Sequence, residues 1–105
     1  MLVLFYNVKE MKSLKQHITP KQAKEINSYQ FYKLFDDIVP REDWYKYHHR
    51  KVTIGKMIEI IGKISIVNRD NEWQIYFLDS NGSEFIFIEK ELVDALWNVV
   101  KERIK

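Results

Sequence analysis

The chain has no cysteine. That excludes a disulfide framework, a thiolate zinc site, an iron–sulfur cluster and a cysteine nucleophile. Its three glycines, Gly55, Gly62 and Gly82, lie too far apart to form a phosphate-cradling loop. Two prolines and the absence of any Pro/Gly/Ser-rich stretch leave no linker, so residues 1–105 are expected to form one domain. Long apolar runs are also missing. The longest opening run, Leu2–Tyr6, falls well short of the ~18–20 residues of a membrane span. It has no basic residues before it, as a signal peptide requires. These features predict a cytoplasmic protein without a membrane partner. Charge of one sign is lacking too: 17 Lys and Arg against 15 Asp and Glu leave +2, which neither coats nucleic acid nor mimics it.

Alanine is scarce, with only Ala23 and Ala95, while lysine (13) far outnumbers arginine (4) and isoleucine also reaches 13. Lys and Ile codons are A/T-rich, so this bias points to an AT-rich, low-GC bacterial genome or one of its phages. Hydrophobic residues at 46% and aromatics at 14% are enough to fill the core of a domain this size.

Along the chain, Leu2–Val8 reads as a β-strand, although Met11-Lys12-Ser13-Leu14-Lys15 also resembles a bacterial start, which would make the first ten residues an upstream extension. Thr19-Pro20 starts a short helical turn, with a hydroxyl cap followed by proline at the first helical position. After a second cap at Asn27-Ser28, Phe31, Leu34, Phe35 and Ile38 share one helix face that Pro40 closes. Arg41–Lys51 is expected to be a third helix or helical turn. Thr53 caps a fourth, with Ile54, Met57, Ile58 and Ile61 as its apolar stripe and Gly62 just beyond its end.

From Lys63 the apolar period changes to two. Lys63–Asn68, Glu72–Ser80 and Ser83–Glu89 predict an antiparallel meander, with Asn81-Gly82 as a two-residue hairpin turn. That turn would set Leu78 opposite Phe85 and Phe77 opposite Ile86. One face would then carry Ile64, Ile66, Trp73, Ile75, Phe77, Ile86 and Ile88 as the core. The other would show Val67, Tyr76, Leu78, Phe85 and Phe87. An apolar second face needs cover, for which the N-terminal strand region, the aromatic segment near Trp44 and a second protein are the candidates. A last helix over Lys90–Ile104 buries Leu92, Val93, Leu96, Trp97, Val99, Val100 and Ile104. The expected class is α+β: N-terminal helices, a three-stranded antiparallel meander to which an N-terminal strand can be added, and a C-terminal helix.

The patterns of chemistry are sparse. No strand glutamate is followed two residues later by lysine, as a common nuclease motif requires: Gln74, Ile86 and Glu91 stand after Glu72, Glu84 and Glu89. His17-Ile18-Thr19 is one half of a two-histidine phosphoesterase pattern, and its second half is missing. Neighbouring His48 and His49 diverge on either a helix or a strand, so they do not share one metal ion. The expectation is therefore no enzyme, no catalytic residue, no metal and no cofactor.

The segment Trp44, Tyr45, Lys46, Tyr47, His48, His49, Arg50 and Lys51 stands out instead as a contact surface, since aromatic and basic side chains interleave there. Stacking with phosphate neutralisation makes nucleic acid the alternative partner for the same groups, and helices followed by a hairpin also fit a winged helix-turn-helix. The helix after Thr53 offers only Lys56 and Glu59 outward, too few for base reading. Tyr76, Leu78, Phe85 and Phe87 are a second expected interface, which a homodimer would cover.

The strings ITPKQAKEI (Ile18–Ile26), FYKLFD (Phe31–Asp36), WYKYHH (Trp44–His49), VTIGKMIEI (Val52–Ile60) and LVDALW (Leu92–Trp97) together resemble small proteins of clostridial and related low-GC Gram-positive phages and prophages. The likeness spans roughly residues 14–62 and 91–102 and contains no catalytic motif, so it transfers no functional residue. It implies a mobile-element setting. Small accessory proteins in that setting bind host proteins, among them defence-system components such as CRISPR effectors, and this sets the expected function: a non-enzymatic inhibitor of a host protein.

Overall fold

The computed structural model describes residues 3–4, 15–35, 41–79 and 81–105. The elements are β1 (Val3–Leu4), α1 (Pro20–Ala23), α2 (Ser28–Phe35), α3 (Arg41–Lys46), a 3-10 turn (His48–Lys51), α4 (Ile54–Ile61), β2 (Ser65–Arg69), β3 (Glu72–Leu78), β4 (Glu84–Glu89) and α5 (Leu92–Arg103). This is the expected α+β arrangement, with α5 following the meander. Among the described residues the strands form one sheet in the order β1-β2-β3-β4, with β1 running parallel to β2 and the rest antiparallel. Of the strand expected over Leu2–Val8, Val3–Leu4 is present, and the remainder lies outside the described residues. So do Ile38 and Pro40 of the second helix.

Local chemistry sets the helix starts. Thr19 Oγ1 accepts the Gln22 N–H at 3.1 Å while Gln22 Oε1 accepts the Thr19 N–H at 2.9 Å, closing a capping box over α1. Asn27 and Gln30 make the same reciprocal pair at the start of α2, both at 2.9 Å. Thr53 caps α4 by accepting the Lys56 N–H at 3.1 Å, and Gly62 ends it at φ 83°. α5 starts differently. Glu91 makes no side-chain cap bond, and its carboxylate accepts the Lys15 N–H at 3.3 Å instead.

The core lies between the sheet and α5, with α4 packed beside that helix. Leu92, Val93, Ala95, Leu96, Trp97, Val99 and Val100 are all buried, against Ile66, Trp73, Ile75 and Phe77 of the sheet. A row of buried aliphatics at helical spacing opposite a row at strand spacing is the joint that holds the two layers together.

The two hairpins differ, and this corrects the expected strand faces. Asp70 and Asn71 form the two-residue turn, at φ 55° and 62°, between the Arg69–Glu72 pair. At the second hairpin the Asp79 carboxylate accepts the N–H groups of Asn81 (2.9 Å) and Ser83 (2.8 Å), and the Asp79 N–H donates to the Ser83 carbonyl at 2.9 Å. Gly82 sits at φ 81° inside that loop. The connection thus holds one more residue than the Asn81-Gly82 turn predicts, and the register moves by one: Phe77 pairs with Phe85, Tyr76 with Ile86, Ile75 with Phe87. A one-residue slip turns a whole strand over. Phe85 and Phe87 therefore join the core side, stacked on Phe77 at centroid distances of 5.3 and 6.0 Å. Ile86 and Ile88 face outward, each 51% exposed, next to Leu78 at 62%.

Candidate functional site: the aromatic and basic segment

The segment from Trp44 to Lys51 divides by depth. Trp44 is fully buried, its ring stacked on Phe31 of α2 at 4.9 Å and 19° between planes. Tyr45 is half-buried against the core, edge-on to Trp44, with the Lys24 ammonium 4.6 Å above its ring centroid. His48 is half-buried and meets Phe31 edge-on at 6.2 Å. His49 is buried. Lys46, Tyr47, Arg50 and Lys51 are exposed, with 66% of Tyr47 open to solvent.

This division follows from the backbone. Six residues of α3 present Trp44 inward, and the Tyr47 N–H closes the helix on the Asp43 carbonyl at 2.8 Å. The tighter 3-10 turn then rotates His49 back into the protein, leaving Tyr47 at the outer corner. Two buried rings thus anchor a short platform on which one tyrosine and three cations stand in solvent. The solvent-facing part of the segment is thus these four residues and the half-buried edges of Tyr45 and His48, while Trp44 and His49 hold the platform from below.

Sequence reading missed the neighbour of His49. Residues 16–18 run against 52–54 as a short antiparallel bridge: the Ile18 N–H donates to the Val52 carbonyl at 3.1 Å and the Ile54 N–H to that of Gln16 at 3.2 Å. The bridge brings His17 and His49 edge to face, with ring centroids 5.5 Å apart. The His17 Nδ1 lies 2.8 Å from the Ile18 carbonyl, while His49 Nδ1 has no hydrogen-bond partner among the described residues. Burial lowers the His49 pKa below its usual value, and the charges of His17 and Arg50 push the same way. Among the described residues no three His, Asp or Glu side chains gather into a metal-binding group.

A polar groove of about 310 Å³ lies between α5 and the segment that carries Lys15, Thr19, Gln22 and Glu25. Asp94 Oδ1 accepts Lys15 Nζ at 2.6 Å and Gln22 Nε2 at 2.7 Å. Glu25 Oε1 accepts the Trp97 indole N–H at 2.7 Å and lies 3.4 Å from Lys101 Nζ. Each of these carboxylates is committed to partners across the groove, so the cluster fastens the segment around α1 to α5. Among the described residues no helix is long and apolar enough to cross a membrane. No family model, curated protein or solved structure matches the chain.

Proposed function

We propose that the chain is a non-enzymatic binding module, an accessory protein of a mobile element that occludes a host protein, with a defence-system component as the kind of target its setting suggests. The observation that carries this reading is the exposed Tyr47 among Lys46, Arg50 and Lys51, on a platform anchored by Trp44 and His49. Tyr and Arg are the residue types that concentrate binding energy at protein interfaces, above all where the backbone beneath them is already fixed. Three cations around one ring favour an acidic surface on the partner.

The same exposed groups suit nucleic acid, and that is the second reading. A pull-down from a low-GC bacterial lysate with the native chain and a Tyr47→Ala/Arg50→Ala variant tests the first. A protein retained by the native chain and lost by the variant supports occlusion of a host protein. Recovery of nucleic acid alone, with oligonucleotide affinity falling steeply against the logarithm of salt concentration, overturns it in favour of the second.

A further inference from the structure

We infer that β4 is the dimerisation edge of this protein, joining a second copy of itself antiparallel about a two-fold axis at Phe87. The site is separate from the Tyr47 platform. Among the described residues β4 has a strand on one side only, and no strand pairs with the N–H and C=O groups of its other edge. Exposed edges are normally blunted by charge, proline or short length. This one runs Glu84-Phe85-Ile86-Phe87-Ile88-Glu89, with charge only at its ends and with Ile86 and Ile88 each half exposed on the outer face. Such an edge is a template for another strand of like pattern.

The sequence around it is self-complementary in one register. Joining two copies edge to edge keeps each sheet face continuous, so outer-face positions 84, 86 and 88 of β4 meet one another, and the exposed Lys90, one residue beyond the strand, continues that row. Centring the axis on Phe87 pairs Ile86 with Ile88 and Glu84 with Lys90, and the symmetry makes each pair twice. Moving the axis to Ile86 sets the Glu84 carboxylate against Ile88. Moving it to Ile88 sets the Lys90 ammonium against Ile86. Only the Phe87 axis matches apolar with apolar and acid with base along the whole outer row. α5 packs under β3 and β4 on the opposite, core side and takes no part in that row.

Light scattering across 1–100 μM tests this, together with a charge swap and cysteine cross-linking, which the cysteine-free chain permits without background. The expected result is a species of twice 12.8 kDa. Glu84→Lys alone and Lys90→Glu alone should each weaken dimerisation about fivefold or more, and the double swap should restore it. These positions are exposed, so circular dichroism should report an unchanged fold in every variant. An oxidised equimolar mixture of Ile86→Cys and Ile88→Cys chains should cross-link more than either alone. A monomer at 100 μM overturns the proposal. So does a dimer indifferent to both charge changes, or one in which Ile86→Cys cross-links best with itself.

Discussion

His17 and His49, thirty-two positions apart, meet edge to face with ring centroids 5.5 Å apart, and only 6% of the second residue is exposed. A buried imidazole beside another imidazole and Arg50 is held neutral: burial first, then the two neighbouring charges, lower its pKa.

The consequence is a fold weakened by acid. Because the folded-state pKa of His49 lies below the unfolded value of about 6.5, the unfolded chain binds more protons as pH falls. The contribution of a neutral His49 is complete above about pH 6.5 and disappears as pH falls through the lowered folded-state value. Melting temperatures from pH 8 to pH 5 should therefore drop more steeply for the native chain than for His49→Gln. Equal slopes would show that other groups carry the acid sensitivity.

The corrected register of β4 separates two neighbouring substitutions. Phe87→Ala removes a ring stacked on Phe77 and should cost about 2–4 kcal/mol. Ile86→Thr alters an exposed position and should cost under ~0.5 kcal/mol in the monomer. Urea unfolding at low protein concentration gives both values, and the reverse order would restore the register expected from Asn81-Gly82.

Trp97 joins the apolar core to the polar groove, since its ring is buried and its indole N–H reaches Glu25 at 2.7 Å. Trp97→Ala should lose ~3–5 kcal/mol, enough to lower the melting temperature by roughly 12 °C or more. Glu25→Gln keeps an acceptor for that N–H and should stay within about 1 kcal/mol of the native chain.

Asp94 holds Lys15 at 2.6 Å and Gln22 at 2.7 Å, with both members of the ion pair about one-third exposed. Solvent screens a pair at that depth, so Asp94→Ala should cost only about 1 kcal/mol. If the contact is mainly ionic, 1 M NaCl should narrow the gap in unfolding free energy between the two chains.

Much of this fold is legible in the sequence because its signals are local. Thr19, Asn27 and Thr53 cap helices with their own side chains, Gly62 ends one, and Asp70-Asn71 turns a hairpin, each needing only residues three or four positions away. What escapes depends on competition or distance. At the second hairpin the Asp79 carboxylate captures two N–H groups and draws an extra residue into the loop, so a short-range turn signal gave the wrong strand face. Trp44, set among charged neighbours, looks like a surface aromatic until Phe31 of another helix is brought against it. The His17 and His49 pairing rests on a bridge between segments that share no periodicity.

The helix at Leu92–Arg103 supplies nearly a whole side of the core, yet a ribosome makes it after every strand it covers. Without that helix Trp73, Ile75, Phe77 and the adjoining phenylalanines lack their main cover, and the β4 edge lies beside them. A chain that ends before this helix thus presents an apolar sheet with an open edge, a natural client for chaperones. A chain truncated after Lys90 should therefore aggregate or bind chaperones under conditions where residues 1–105 remain folded.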